Sequence, residues 1–328
     1  MGNDFYIKKV SRIAIHQSKR FYKWMEGKII PKSHLTSQSL MKARPPKNRD
    51  DHKLIFCFNP GRSGTRWLSN IFNAHENWIG TCERFGQYES FVRYCAWHDL
   101  NVDLESAFKL FEQAIYYDFE KHQNSMIVSP FFNFIIPKMV QRYNPDHIFF
   151  VYRNPVDTVC SFHERGFYKD KVFTSNDSLK KATISISATG EIRSLSPTFS
   201  RILPQKQLSL KEWNKLTRIG KCTWFWVTQM KAMQDAYFNV KGVKKRVYSL
   251  EEMDQNYPFY EKLVKEHNLI PKLGKKDFLS LKKIVHPEKE NIHPYDHWTD
   301  KEKEEFHEII KKAKLKYPFN KFNINKNL

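Results

Sequence analysis

The sequence predicts an α/β fold of three layers, with a parallel sheet between two layers of helices. Apolar runs stand near 54–58, 126–129 and 147–152, and each is followed by a turn and then by residues on helical spacing. Runs that are apolar at every position suit strands covered on both faces. Strands alternating with helices suit the crossover connections of a parallel sheet.

Each element has a local reason. Residues 1–52 are basic and aromatic, with Ile7, Val10, Ile13, Ala14, Phe21, Trp24 and Met25 near helical spacing. They read as a helical extension, either packed on the domain or lying at an anionic membrane surface. The domain proper is expected over 53–328. Helices are expected near 65–74, 104–121, 131–143 and 155–163; Pro155 after Asn154 is a favourable start. Residues 166–210 are polar and Ser/Thr-rich, and form a lid or an acceptor-binding insertion. Trp213 to Tyr237 resumes helical spacing, 246–250 reads as a strand, and 257–267 and 299–316 read as helices. Thr299 with Glu302 three residues on is a capping pair.

Bulk properties narrow the partners. With 55 Lys and Arg against 35 Asp and Glu, the net charge of +20 favours anionic ligands: a nucleotide, an acidic glycan or an anionic membrane. No nucleic-acid-binding motif appears, so nucleic acid is not expected. The 5 cysteines include no C-x-x-C pair and read as free thiols of a reducing compartment, not as a disulfide framework or metal site. No apolar run of membrane-spanning length and no signal-peptide core is seen. A cytoplasmic enzyme is the expectation, with peripheral membrane contact as an option.

The chemistry concentrates in two segments. Leu54-Ile-Phe-Cys-Phe-Asn-Pro-Gly-Arg-Ser-Gly-Thr-Arg-Trp67 runs from a strand through a small-residue turn into a helix. Small residues let backbone N–H groups converge on an anion, and the helix N-terminus adds partial positive charge. It is not a Walker A loop, because no Gly-Lys-Ser/Thr stands at the required spacing. Later, His147-Ile-Phe-Phe-Val-Tyr-Arg153 reads as a strand, and Asn154 to Ser161 as the helix after it. Arg153 therefore leaves a strand's carboxyl end, where ligands collect in open α/β sheets. Two such clamps suit one ligand with two separated charged groups.

These segments resemble the sulfotransferases that use 3′-phosphoadenosine-5′-phosphosulfate (PAPS). Pro60 to Trp67 looks like the family's 5′-phosphosulfate loop. Val151 to Ser161 resembles its 3′-phosphate motif, Arg-Asn-Pro-x-Asp with a Ser eight residues after the Arg. Val128-Ser129-Pro130 looks like its short segment between the two. The similarity covers roughly residues 53–165. It implies a P-loop-NTPase-like sulfotransferase fold, PAPS as cosubstrate with 3′,5′-ADP as product, no required metal, and an acceptor hydroxyl.

The resemblance also implies roles. Gly61, Arg62, Ser63, Gly64, Thr65, Arg66 and Trp67 would form the 5′ site, and Arg153 and Ser161 would hold the 3′-phosphate. Arg62 stands where many members carry Lys and would steady the sulfate and the bridging oxygen. Arg66 is otherwise a surface ion-pair partner, and Arg153 a strand-end partner of Asp157. The base is expected to be Glu83, at the end of an extended stretch after His75-Glu76, where the family usually has His-Pro. His98 or His163 is the alternative. Arg84 is a further candidate for sulfate or acceptor, Trp224 and Trp226 for stacking on adenine, and Lys289 or Asn291 for closing over the 3′-phosphate. The Arg-Lys-Gly signature of the small-molecule branch is absent, which points to a carbohydrate or glycolipid acceptor, with protein tyrosine as the alternative. From other classes, a nucleotide kinase or NTPase, or an inactive anion-binding relative, are the competing readings.

Overall fold

The computed structural model describes residues 43–100, 104–169, 201–205, 208–254, 256–283 and 293–322. Most of the 1–52 extension, most of the 166–210 insertion, and Lys289 and Asn291 lie outside them; the described end of the extension, 43–52, is a loop with one short turn at Arg49–Asp51. From Arg44 onward the chain forms one compact unit.

Five strands make one parallel sheet: β1 (Leu54–Phe58), β2 (Trp78–Cys82), β3 (Asn124–Ser129), β4 (His147–Tyr152) and β5 (Lys244–Ser249). Their order is β2-β3-β1-β4-β5. β1 is central, with Phe58 level with Ser129 of β3 and Phe150 of β4. The turns leaving β1, β3 and β4 therefore emerge side by side at one edge. This register places the two anion-loop segments next to each other.

The apolar runs divide by alternation, as side chains on successive strand residues point to opposite faces. Leu54, Phe56, Phe58, Ile148 and Phe150 join one core cluster. Ile55, Cys57, Met126, Val128, Phe149 and Val151 join the other. The first face is covered by α2 (Gly86–Trp97), α3 (Glu105–His122), α4 (Ile136–Tyr143), α5 (Pro155–Glu164) and, after α6 (Leu210–Lys215), by α7 (Arg218–Asn239). The second is covered by α1 (Thr65–Asn73), α8 (Leu250–Met253), α9 (Tyr257–His267) and α10 (Lys275–Lys283). The last helix, α11 (Asp300–Ala313), packs on the first side through Phe306 and Ile310. The three-layer α/β/α architecture is as expected.

Several boundaries differ from expectation for physical reasons. The helix expected from 131 begins only at Ile136, because Ser129 Oγ and Asn133 hold the preceding residues in a turn. The helix expected over 213–237 is two, broken at Leu216 and Thr217, where Thr217 caps α7. α2 and α10 were not anticipated. Thr299 does cap α11, with Glu302 completing the reciprocal box.

Close backbone approach is set by Gly80 in β2. A Cβ there would stand 2.1 Å from the Ser69 carbonyl oxygen of α1. Asn73 brackets the same glycine, accepting its N–H at 2.9 Å and donating to its carbonyl at 2.5 Å.

One buried ion pair fastens β2 to α3. Arg84 Nη2 donates to both Asp118 oxygens at 2.7 and 2.8 Å, and Ser125 Oγ donates to Asp118 at 2.6 Å. The two charged side chains are 1% and 0% exposed. Removing one member of such a pair strands the other charge. Asp118→Ala should therefore lower unfolding stability by about 3–5 kcal/mol in a urea titration. A loss below about 1 kcal/mol, as for an exposed pair, would show that Arg84 reaches water without its partner.

Candidate functional site

The turn after β1 is shaped by three left-handed residues, Gly61 (φ 92°), Arg62 (φ 59°) and Gly64 (φ 70°). Gly64 has no substitute: its φ disfavours any side chain, and a Cβ would meet Leu250 at 2.4 Å. Asn59, fully buried, accepts the Gly61 N–H at 2.9 Å, and Ser63 Oγ donates to the Gly61 carbonyl at 3.0 Å. The Ser63 hydroxyl is thus used within the turn. Gly64 is the N-cap of α1 and supplies no side chain, so no side-chain cap occupies that helix start.

This turn delivers Arg62 to the neighbouring strand's helix. Arg62 Nε donates to Ser161 Oγ at 2.8 Å, across 99 residues of sequence. Ser161 lies in the second turn of α5, which Pro155 opens and Asn154 caps by accepting the Val156 N–H. The two segments that the sequence set far apart meet in a single hydrogen bond.

The field at this point is strongly positive. The Arg62 pKa is lowered first by burial and then by Arg165, with Arg153 and Arg66 adding to the effect and Glu83 opposing it. Arg165, the C-cap of α5, is exposed and was not singled out from sequence; nothing in its local pattern marks it. Arg153 makes an ion pair with Asp157 at 3.3 Å, with both side chains about one-third exposed (34% and 38%). Arg153 therefore has the expected strand-end partner, Asp157, and its charge is felt at Arg62.

Other candidates are placed differently. Thr65 is buried, and its Oγ1 lies 3.8 Å from Cys82 Sγ. Arg66 is exposed. Trp67 turns inward, 3% exposed, with its ring 5.8 Å from that of Phe278. It anchors α1 to the core. Arg84 is committed to Asp118 and buried, so it does not face the turn as a free cation. Trp224 and Trp226 are buried in the first core cluster, Trp226 fully.

Glu83 stands just beyond β2, exposed, with φ 51°. Its N–H donates to the Val128 carbonyl at 3.0 Å, and its own carbonyl accepts the Gly86 N–H at 3.1 Å. The histidine alternatives are less open. His163 Nε2 lies 3.2 Å from Arg218 Nη1, and burial with that cation pushes its pKa down to about 4. An imidazole whose lone pair faces a guanidinium has little capacity left for a proton. Burial likewise lowers the pKa of His98 to about 4.

A carboxyl group that the sequence did not reveal lies beneath Glu83. Glu89 of α2 is fully buried; its Oε1 accepts the Phe85 N–H at 2.9 Å and its Oε2 lies 2.5 Å from Ser129 Oγ. Burial raises its pKa to about 7, against the opposing effect of these two hydrogen bonds. Among the described residues no group of three or more His, Cys, Asp or Glu could hold a metal ion, and no helix is long and apolar enough to cross a membrane.

Comparison with known proteins finds similar solved structures, two of them sulfotransferases. No protein-family model and no curated protein matches the chain. The sulfotransferase domain from the curacin biosynthetic pathway is similar at 10% identity, covering 82% of this chain and 94% of its own, with a TM-score of 0.40. The sulfotransferase from Alicyclobacillus acidocaldarius is similar at 14% identity, covering 72% of this chain and 96% of its own, with a TM-score of 0.37.

Proposed function

We propose that this chain is a sulfotransferase that transfers the sulfuryl group of PAPS to an acceptor hydroxyl of a carbohydrate or glycolipid. The observation that carries the reading is the 2.8 Å hydrogen bond from Arg62 Nε to Ser161 Oγ. It joins the turn that resembles a 5′-phosphosulfate loop to the segment that resembles a 3′-phosphate motif.

The residues fit such a donor. PAPS carries charge at both ends of its ribose, and four arginines here share one field: Arg62, Arg66, Arg153 and Arg165. The turn at Gly61 and Gly64 leads into a helix start without a side-chain cap, so the N–H groups from Thr65 onward can meet a phosphate, while Ser63 keeps the turn closed. Ser161 accepts from Arg62, which leaves its own hydroxyl hydrogen to give to a 3′-phosphate oxygen beside Arg153. Trp67 contributes by fixing α1, since its ring is in the core.

The reaction then divides among few groups. The donor supplies the sulfuryl group and a phosphate leaving oxygen. Glu83, exposed and close enough for its charge to be felt at Arg62, takes the proton of the acceptor hydroxyl. The acceptor oxygen forms its bond to sulfur as the sulfur–oxygen bond to phosphate breaks, and the electron pair stays on the phosphate oxygen. Arg62 faces that growing charge as a fixed guanidinium, an electrostatic role that requires no proton transfer from it. A sulfate ester and 3′,5′-ADP leave.

Isothermal titration tests the donor site. Tight binding of 3′,5′-ADP without magnesium, and much weaker binding of ATP, is expected; the reverse order would favour a kinase or NTPase. Arg153→Ala should weaken 3′,5′-ADP binding by about 1.5–3 kcal/mol, the worth of a charged hydrogen bond. Unchanged affinity would remove Arg153 from the 3′-phosphate site. Glu83→Gln should lower sulfate transfer to a glycan panel by roughly 10²–10⁴-fold with nucleotide affinity retained. Near-normal turnover would take the base role away from Glu83.

A further inference from the structure

The turn carrying Glu83 adopts a conformation that its own sequence does not favour. Glu83 has φ 51°, a region in which a residue bearing a Cβ is strained. No glycine or asparagine stands there to relieve it. The turn is closed instead by two bonds: the Gly86 N–H to the Glu83 carbonyl, and the Phe85 N–H to Glu89 Oε1 at 2.9 Å. The second carboxyl oxygen of Glu89 reaches Ser129 Oγ at 2.5 Å, and that same Oγ accepts the Phe131 N–H at 3.1 Å. One wholly buried carboxyl thus ties the exit of β2 to the exit of β3, the strand next to β1.

We infer that Glu89 is the positioning residue for Glu83, working as the neutral acid that locks the 83–86 turn to Ser129 and keeps the Glu83 carboxylate within reach of Arg62. The inference rests on the reading of Glu83 as the base.

The surroundings favour the neutral form. From the β2 side Glu83, Arg84 and the Cys82 thiol face Glu89. Ser129 faces it from β3. Arg93, one turn further along α2, donates to the Pro130 carbonyl. On α3, Asp118 already neutralises Arg84. An ionised Glu89 would therefore add an unpaired buried charge and repel Glu83. Its two oxygens accept one hydrogen bond each, from the Phe85 N–H and the Ser129 hydroxyl, and these oppose the effect of burial without cancelling it. Burial raises its pKa from 4.5 to about 7. The unfolded chain ionises at the lower value, so the native state loses stability as pH rises between the two, and the loss is constant above the upper one. Glutamine mimics the neutral acid and escapes this loss.

Three readouts on the full chain test the inference, two of which need no acceptor. First, hydrogen exchange of the peptide spanning 83–90 should accelerate about tenfold in Glu89→Ala and stay at the wild-type rate in Glu89→Gln. Second, the stability of Glu89→Gln relative to wild type, from urea midpoints, should rise from pH 4.5 to 7 and then level off. Third, sulfate transfer should fall about 10²-fold in Glu89→Ala, as for a misplaced catalytic group. Glu89→Gln should restore it and abolish the wild-type decline above pH 7. Equal exchange in the alanine variant, or a glutamine variant as impaired as alanine, overturns the inference. Absence of sulfate transfer by wild type would instead overturn the proposed function, and exchange and stability would still decide whether Glu89 holds the turn.

Discussion

The site depends on one contact, the bond between Arg62 and Ser161. It exists because β1 and β4 are neighbours in parallel register, so that the turn after Phe58 and the helix after Tyr152 leave the same edge of the sheet. It also needs the left-handed run at Gly61, Arg62 and Gly64, which turns the chain back toward α5. A hydrogen bond to a charged group contributes only about 1.5–3 kcal/mol. The sheet therefore holds the contact, and the contact does not hold the sheet.

Gathering Arg62, Arg66, Arg153 and Arg165 works against the folded state, because like charges and burial both disfavour a cation. Glu83 and Asp157 offset part of this. The remainder is supported by the two apolar clusters, whose strand residues are almost fully buried on both faces of the sheet. Such an arrangement makes sense if an anion completes it: the repulsion carried by the free protein becomes attraction for a doubly charged ligand.

Much of this architecture was legible because its signals are local. The runs at 54–58 and 147–152 are buried on both sides and so lack polar interruptions, and Pro155 and Thr299 mark helix starts by chemistry that needs no tertiary context. What escaped depends on distant partners. β2 shows in the sequence only as the extended stretch before Glu83, because Gly80, over which the α1 backbone passes, weakens its strand pattern. α2 has no side-chain cap and buries Glu89 and Arg93, so its apolar face is interrupted by charge. Arg84 looked like a site cation by its place after β2, yet its partner Asp118 lies 34 residues on. Trp67 follows the loop in sequence, but the direction in which α1 packs sends it to Phe278.

Glu83 and Glu89 show why residue type alone does not assign a role. They stand on either side of one turn. Water reaches the first and not the second. In a buried setting the neutral acid is favoured. The junction is made by its two oxygens, one receiving the Phe85 amide hydrogen and the other the Ser129 hydroxyl hydrogen. An aspartate at position 89 would be one methylene too short to span both. An alanine would leave the half-buried Phe85 amide without this acceptor and would release the strained φ of Glu83. In the proposed reaction, environment divides the labour between two carboxyl groups of one chemical kind: one exchanges a proton with the acceptor, and the other keeps its own.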